Sequence, residues 1–396
     1  MFRTTPAIPL CEPCIRGNAW VYVRECLDTG WVSSAGSFVD RFEREVAAYV
    51  GVKHAVATVS GTAALHVALL AAGIRPDDEV LVSDLTFIAP ANAVRYVGAW
   101  PVFVDIESNY WQMDPNLVVD FVRKRCLYRR GELRNRVTGR RVAAVLPVHI
   151  LGHPVDVDPI REVTSDHGLP LIEDATESLG ACYKGVSIGR LGRFACLSFN
   201  GNKTFTTGGG GMVLTDDTEA ARRIRYLTTQ AKDHPLEYVH GEVGYNYRMT
   251  NVQAALGCAQ IELAKEFLLR KKEVASRYAS AFGDIDGLTM MREAPWATSA
   301  WWMSTIVVDA KRFGMTSREL MTALARSAIQ ARPLWQPLHL SPAHSHTQFL
   351  GGTTAEQKHR DCLNLPSSVG LTDEDQDRVI DRVRLCSSVS APSSRL

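Results

Sequence analysis

Between residues 55 and 230 the sequence alternates between short β-branched runs and helical stretches, and this alternation constrains the fold more than any other feature. At each step the hydrophobic period changes from that of a strand to that of a helix. Strands alternating with helices build mostly parallel sheets, which bind ligands at the carboxyl ends of their strands. We therefore predict an α/β fold with a mostly parallel sheet of seven strands between helix layers. The seven runs lie at residues 56–59, 79–83, 101–105, 142–149, 169–173, 195–199 and 212–215.

The rest of the chain predicts a second, smaller domain. A chain of 396 residues suits about two domains. A helical pattern that begins at residue 251 leads into a region with its own strand at 304–309. Serine is abundant in the last ten residues, as in many disordered chain ends. We expect N-terminal helices plus a large domain over residues 1–265, a small C-terminal α+β domain over 266–386, and a disordered tail over 387–396.

Charge and composition exclude several classes of protein. Lys and Arg total 44 against 43 acidic residues, so net charge attracts neither nucleic acid nor an anionic membrane. Apolar stretches are far shorter than the roughly 20 residues of a membrane-spanning helix, and the first residues lack a signal-peptide pattern. Nine cysteines, an odd number, fit reduced thiols. Cys11 and Cys14 form a single C-x-x-C without a second ligand pair, so we expect a cytoplasmic protein with no metal site.

A segment that suits anion binding follows the first predicted strand. Ser60, Gly61 and Thr62 stand where a helix begins. Free amides and the helix dipole attract anions there, and a glycine lets a phosphate approach the backbone. The same residues also form ordinary helix caps. The sequence of this segment is compatible with a phosphate site and with an ordinary helix cap.

A lysine among small residues is a second candidate. Lys203 follows Asn200-Gly201-Asn202 and precedes four consecutive glycines at 208–211. The segment is not a P-loop, because Asn202 replaces the glycine that must precede the Lys-Thr pair. A desolvated lysine suits imine chemistry with a planar ligand. The alternative is an exposed lysine beside a flexible turn.

Acidic residues close one of the predicted strands. Asp174 and Glu177 follow an apolar run, deep in the sheet. A carboxylate there needs a cation to offset its desolvation, and a pyridinium nitrogen is such a cation. A helix cap or a surface pair is the alternative. Together, a phosphate site, an acid facing a ring nitrogen and an amine that bonds to an aldehyde describe the binding of pyridoxal phosphate (PLP).

Further motifs follow along the chain, and the full ordered set is Gly30-Trp31, Ser60 to His66, Thr86 to Ala89, Pro101 to Asp105, Pro147 to His149, Glu173 to Ala175, Ser198-Phe199, Lys203 and Gly244 to Arg248. The order and spacing of this set closely resemble the DegT/DnrJ family of sugar aminotransferases. The likeness covers residues 8 to about 385 and implies the fold-type I architecture of PLP-dependent transferases, PLP as cofactor and an obligate dimer. Within the family, the loop of Lys203 looks most like that of enzymes for 4-keto-6-deoxy nucleotide sugars with acetamido groups, including legionaminic-type pathways.

The resemblance also implies roles for individual residues. Lys203 would bond to the aldehyde of the cofactor, and Asp174 would face its pyridinium nitrogen. Phe87 would stack on the ring. Glu177 would contact the cofactor near its phenolic oxygen, at a position that is commonly glutamine in the family. The phosphate would be held by Gly61, Thr62, Ala63 and Ser198, with Asn246 from the other subunit.

Three residues are candidates for contact with the substrate, namely Trp31, Ser33 and His339. His149 either touches the cofactor or packs at its strand end. Residues 207–211 correspond to a Thr-Gly-Glu-Gly-Gly stretch of the family, but Gly209 stands in place of the glutamate. We expect this difference to affect the part of the site that contacts the substrate.

The expected activity is transfer of an amino group from glutamate to the keto carbon, at C4, of a nucleotide-linked 4-keto-6-deoxy sugar. We expect a homodimer with shared active sites that serves the synthesis of surface polysaccharide or glycan sugars. Alternatives are the same fold acting on another keto sugar or keto-sugar acid, and a catalytically silent PLP-binding sensor or scaffold. Sugar dehydratases of this fold carry histidine in place of the lysine, so Lys203 argues against that activity.

One segment is rich in basic residues. From Arg123 to Arg141 there are nine basic residues and one acid, Glu132. A solvated loop is one interpretation, and a clamp for a phosphorylated ligand or a partner subunit is the other.

Overall fold

The structure, a computed structural model, describes residues 6–234 and 236–388. Its α-helices are α1 (Ala19–Thr29), α2 (Ser37–Val50), α3 (Gly61–Ala71), α4 (Ala89–Tyr96), α5 (Pro115–Asp120), α6 (Asp158–Asp166), α7 (Thr218–Thr228), α8 (Asn251–Glu262), α9 (Ala264–Phe282), α10 (Ala310–Phe313), α11 (Ser317–Arg326), α12 (Thr354–Asp361) and α13 (Asp373–Ser388). Its strands are β1 (His54–Thr58), β2 (Glu79–Ser83), β3 (Trp100–Val104), β4 (Cys126–Arg129), β5 (Glu132–Asn135), β6 (Val142–Leu146), β7 (Ile172–Asp174), β8 (Cys182–Tyr183), β9 (Val186–Ser187), β10 (Phe194–Ser198), β11 (Gly211–Thr215), β12 (Leu288–Met290), β13 (Ala297–Thr298), β14 (Ser304–Val308), β15 (Arg332–Pro333), β16 (Gln348–Leu350) and β17 (Cys362–Leu365).

A mostly parallel sheet forms the centre of the N-terminal part of the chain. Its strand order in the described chain is β1-β11-β10-β7-β6-β2-β3-β16, where β7 and β6 are joined by the parallel bridges Val145–Leu171 and Val148–Asp174. Within this sheet, β11 alone runs antiparallel to the other strands. The seven predicted strands are confirmed, and β16 adds an eighth from the C-terminal part of the chain.

Alternate side chains of the sheet pack against two different helix layers. In β2, Val80 and Val82 belong to one hydrophobic cluster with Leu65 of α3. Leu81 belongs to the other cluster, with Ile160 of α6. Every residue of β2 and β6 is buried, as expected for strands covered on both faces. Burial on both faces explains why these strands are continuous apolar runs.

The C-terminal part contains an antiparallel sheet with strand order β12-β14-β17-β15. Helices α9, α11 and α13 contribute Tyr278, Leu320 and Val379 to a single cluster against it. The predicted strand at 304–309 is β14. The two parts of the chain share the large sheet, because β16 of the C-terminal part pairs with β3.

Two predicted segments differ in extent from the structure. The continuous helical pattern from residue 251 is two helices, because Leu263 has a non-helical backbone (φ −100°, ψ 7°) between α8 and α9. Helix α13 includes residues 387 and 388, which the sequence assigned to the tail, since Cys386 is still packed in the hydrophobic cluster. The remainder of the predicted disordered tail, 389–396, lies outside the described residues.

The basic segment is a β-hairpin rather than a plain loop. Strands β4 and β5 pair with each other, and Asn135 and Thr138 donate hydrogen bonds to the buried carboxylate of Glu79 (2.8 and 2.7 Å). Because Glu79 begins β2, the hairpin lies at the amino ends of the parallel strands. It therefore cannot clamp a ligand at the carboxyl ends of its own sheet, and a role at a partner subunit stays a prediction. Carboxylate partners are found for Arg123, Lys124, Arg134, Arg140 and Arg141.

Every helix in the described ranges is too short or too polar to cross a lipid bilayer. The His, Cys, Asp and Glu side chains of these ranges form no group of three or more that could hold a metal ion.

Candidate active site

A cavity of about 360 Å³ opens at the carboxyl ends of β1, β7 and β10. Its walls come from the start of α3, the segment after β2, the segment after β7, the end of β10 and the loop between β10 and β11. The parallel strands explain this convergence, because their carboxyl ends meet at one edge of the sheet. The cavity brings together seven residues predicted to bind the cofactor, namely Gly61, Thr62, Phe87, Asp174, Glu177, Ser198 and Lys203.

The start of α3 forms one wall of the cavity. Ser60 caps the helix, since its Oγ accepts a hydrogen bond from the Ala63 amide (3.1 Å). Gly61 and Thr62 are the first two helical residues, whose amides have no partner within the helix. A Cβ on Gly61 would lie 2.8 Å from the Cβ of Ser198, so glycine is needed for this close approach. Ala63 does not line the cavity and its amide is already used, so its predicted phosphate contact has no support in this geometry.

Lys203 lies in the loop between β10 and β11. Its Nζ is 3.2 Å from Glu177 Oε1 and 4.2 Å from the centre of the Trp302 ring. The Trp302 Nε1 donates a hydrogen bond to the carbonyl of Asn202 (2.8 Å), which holds the loop beside the lysine. The lysine side chain is 14% exposed. The alternative of an exposed surface lysine is therefore wrong.

Two buried carboxylates share the cavity with this lysine. Asp174 accepts a hydrogen bond from the Thr176 amide (3.1 Å), and burial raises the pKa of Asp174 above its usual range. Burial also raises the pKa of Glu177, while the neighbouring Lys203 opposes that rise. A cation bound beside Asp174 would stabilise its ionised form. Because Asp174 is 2% exposed, it is not part of a surface pair.

His149 packs at the end of its strand and does not line the cavity. The Val155 amide donates to its Nδ1 (3.0 Å), so the proton of the neutral ring is on Nε2. That nitrogen lies 3.2 Å from Glu173 Oε2 and donates to it. Both ring nitrogens thus have hydrogen-bond partners within the protein. Of the two interpretations, contact with the cofactor or packing at the strand end, the structure shows packing.

Two tryptophans of the C-terminal part also line the cavity, and sequence reasoning missed them. Trp302 and Trp335 stack with ring centres 6.2 Å apart and planes 8° apart. Trp302 precedes β14, and Trp335 follows β15. The sequence signal that could have identified them is a tryptophan at the end of a strand in the C-terminal part. The sequence does not show which strand ends face the large sheet.

The remaining predicted site residues lie outside this cavity. Trp31 and Ser33 are exposed. His339 is bound through its Nδ1 to Asp84 (2.7 Å). Asn246 is also exposed and outside the cavity, a placement that leaves it accessible to another subunit.

The residues present fit PLP. The first amides of α3 and the Ser198 hydroxyl are suitable donors for a phosphate. The carboxylate of Asp174 suits a protonated ring nitrogen, and Lys203 supplies an amine for the aldehyde. Phe87 is 58% exposed on the cavity wall and offers an aromatic face for a planar ring. The phosphate, the ring nitrogen and the aldehyde of PLP therefore each have a suitable partner in the same cavity.

Comparisons with known proteins agree with this arrangement. A model of the DegT/DnrJ/EryC1/StrS aminotransferase family matches residues 13–384. The chain is 40% identical over 376 residues to the GDP-perosamine synthase of Caulobacter vibrioides, covering 95% of this chain and 97% of that protein. It is 36% identical over 395 residues to the spore coat polysaccharide biosynthesis protein SpsC of Bacillus subtilis, covering 95% and 96%. The structure of the aminotransferase TlmJ from Streptoalloteichus hindustanus matches with a TM-score of 0.87 at 27% identity, covering 96% and 99%.

Proposed function

We propose a specific reaction for this chain, which belongs to the DegT/DnrJ/EryC1/StrS aminotransferase family and is a PLP-dependent aminotransferase of fold type I. In this reaction the enzyme aminates a nucleotide-linked 4-keto-6-deoxy sugar at C4. Glutamate is the proposed amino donor. The product serves the synthesis of surface polysaccharide, and the enzyme acts in the cytoplasm. The observation that carries this proposal is the largely buried Lys203, which shares one cavity with Asp174 and the start of α3.

The names of the relatives support the substrate class. The protein from Caulobacter vibrioides is named for GDP-perosamine and the one from Bacillus subtilis for a polysaccharide. Both likenesses extend over nearly the full length of each chain, so they include the large sheet and the part that contributes Trp302 and Trp335. We therefore infer a nucleotide-linked sugar as the amino acceptor.

The residues of this chain have distinct tasks in the proposed reaction. Bound PLP supplies an electron sink for the carbon that loses its proton. Asp174 keeps a proton on the ring nitrogen by its negative charge. The start of α3 and Ser198 hold the phosphate, and Lys203 moves a proton between the donor carbon and the cofactor. Trp302 covers the lysine and reduces the access of water to its Nζ.

We also propose a homodimer with shared active sites. Among the described residues that line the cavity, Lys203 is the one cation. The proposed substrates carry a diphosphate and carboxylates, so further cations and donors are needed. Asn246 lies outside the cavity of its own chain and is our candidate contribution to the phosphate site of the partner.

The test is an incubation of the purified holoenzyme with glutamate and a panel of nucleotide-linked keto sugars. Mass spectrometry of the sugar nucleotide should show an increase of about one mass unit, which marks conversion of a ketone into an amine. Lys203→Ala is the control and should give no such product. A protein that binds PLP but aminates no sugar of the panel would instead support the silent sensor or scaffold.

A further inference from the structure

The carboxylate of Glu177 has one oxygen for each of two hydrogen-bond donors. Its Oε2 accepts the amide of Leu151 at 2.8 Å, and its Oε1 lies 3.2 Å from the Nζ of Lys203. Both partners are donors, so a glutamine at this position would direct its own NH₂ group toward one of them. A carboxylate satisfies both. Its side chain is only 4% exposed, so water does not substitute for these contacts.

The turn that donates to Glu177 is held in an unusual conformation. Leu151 has φ +60°, a left-handed conformation that is unfavourable for leucine. The next residue, Gly152, accepts a hydrogen bond from the amide of Ala300 (2.8 Å), which fixes the turn against the segment before Trp302. The turn therefore fixes Oε2 and leaves Oε1 directed at the lysine.

Titratable groups lie around this pair on two sides in the described chain. Asp174 lies on the β7 side, with His149 behind it. On the side of the C-terminal part is the uncharged ring of Trp302, whose carbonyl accepts a hydrogen bond from the buried Lys271 (2.6 Å). Two carboxylates and one ammonium in a buried site disfavour full ionisation, and burial raises the pKa of Glu177. A neutral acid beside a neutral amine is therefore an accessible state of the pair.

We propose that Glu177 accepts the proton that Lys203 must lose to act as a neutral amine, an inference that rests on the proposed PLP-dependent function. In this step an N–H bond of the ammonium breaks and an O–H bond forms on Oε1, so the proton stays within the pair. The lone pair of Nζ is then available to bond to an aldehyde or to accept a proton from carbon.

This proposal has a specific consequence for pH dependence. As long as Lys203 and Glu177 share one transferable proton, its distribution between Nζ and Oε1 depends only on the relative energies of the two arrangements. The fraction of molecules with a neutral lysine therefore does not change with pH. Without Glu177 the lysine must release its proton to water. For an amine that exchanges its proton with water, the neutral fraction rises about tenfold per pH unit as long as the ammonium form predominates.

The test measures how fast the apoprotein binds free PLP covalently, followed by absorbance from about pH 6.5 to about pH 8.5. Borohydride reduction and peptide mapping identify the lysine. For Glu177→Gln, the ratio of its rate to the wild-type rate should rise about tenfold per pH unit. Free PLP titrates identically in both reactions, so its own pH dependence cancels from the ratio.

Two further variants separate proton acceptance from positioning. Trp302→Phe alters the other contact of the ammonium, and Glu177→Asp keeps a carboxylate, so both ratios to wild type should stay constant with pH. A constant ratio for Glu177→Gln, or the same slope for Trp302→Phe, would overturn the proposal. Circular dichroism establishes that each variant is folded.

A measurement on the unmodified protein keeps the proposal testable if Glu177→Gln does not fold. The wild-type rate divided by the rate of PLP with a simple alkylamine should fall about tenfold per pH unit, because only the alkylamine must lose its proton to water. A constant quotient would refute proton acceptance by Glu177. The assay contains neither sugar nor glutamate. Attachment of PLP to a lysine other than Lys203 would count against the proposed function instead.

Discussion

The imidazole Nδ1 of His339 lies 2.7 Å from Oδ2 of Asp84, a carboxylate that is fully buried just after β2. The backbone amide of His339 donates to the other oxygen, Oδ1 (2.9 Å). Asp84 thus joins the C-terminal part of the chain to the large sheet. His339 has a structural contact here, and the substrate contact suggested by the sequence stays a prediction.

The first prediction concerns stability against pH. Burial raises the pKa of Asp84 from 3.8 to about 6, so between these values the folded protein binds a proton that the unfolded chain does not. The associated stability is present below about pH 4 and is lost as pH rises to about 6. Relative to Asp84→Asn, the wild-type free energy of unfolding should therefore fall by about 3 kcal/mol over this range. Urea unfolding at several pH values measures the difference. Glu356→Gln, which removes an exposed partner of the same histidine (3.4 Å), is the control and should leave that fall unchanged.

The second prediction is that reduction with borohydride fixes the cofactor on Lys203. Its amine is on the cavity wall, whereas Lys184 is 54% exposed and paired with Asp158 at 2.6 Å. Peptide mapping after reduction identifies the labelled lysine. A pyridoxyl group on Lys184 would contradict the assignment.

The third prediction is that Asp174→Asn loses far more activity than cofactor. The amide fills the same space but cannot hold the ring proton by charge, while the phosphate contacts at α3 remain. Turnover should fall about 100-fold or more, in the range seen when one electrostatic contact to a transition state is removed. The PLP content, read from absorbance, should stay close to that of wild type. Near-normal turnover with cofactor bound would refute the electron-sink role of this carboxylate.

The fourth prediction uses two glycines near the cavity. In Gly61→Ala the new Cβ would lie 2.8 Å from Ser198 Cβ, so α3 and β10 must separate at the phosphate site. We expect a loss of about 1–3 kcal/mol in stability and an affinity for PLP about tenfold lower. Gly201→Ala is the matched control, because its Cβ would meet only a carbonyl oxygen at 3.9 Å. Thermal unfolding and PLP titration should separate the two variants, and equal behaviour would argue against the close approach at Gly61.

The fifth prediction tests the shared site. Asn246→Ala and Lys203→Ala should each be inactive as homodimers. If Asn246 serves the partner, a mixed dimer has one site with both residues intact and should regain up to about a quarter of wild-type activity at equal mixing, since about half of the dimers are mixed. Mixing after mild dissociation, with activity as readout, makes the measurement. Failure of the mixture to regain activity, when both single variants are folded, would remove the case for a shared site.

The sheet and most of the cavity could be predicted because both depend on local patterns. Most strands of the sheet lie in apolar runs, and residues that follow several of these runs come together because most of the strands are parallel. This is why Gly61, Asp174 and Lys203 reach one cavity although they are far apart in sequence. Ala63 shows the limit of this reasoning. Its amide is used by Ser60, and the sequence does not show which amides at a helix start remain available.

Contacts that depend on the placement of the C-terminal part of the chain could not be predicted. Trp302 reaches Lys203 across about 100 residues of sequence, and no local pattern encodes that distance. Leu151 contributes only its backbone to Glu177, so its side chain carries no signal. Strand β16 has three residues, too few for a hydrophobic period to be measured.

Strand β16 also has a consequence for how the chain is made. It closes the edge of the large sheet beside β3, yet it lies near the end of the chain. During synthesis on the ribosome, the backbone edge of β3 is finished long before its covering strand emerges. An uncovered strand edge is a template for pairing with other chains, and newly made proteins are most prone to aggregate while such edges are open. A polypeptide terminated before residue 348 would keep that edge permanently, so premature truncation should yield insoluble protein rather than a functional large domain.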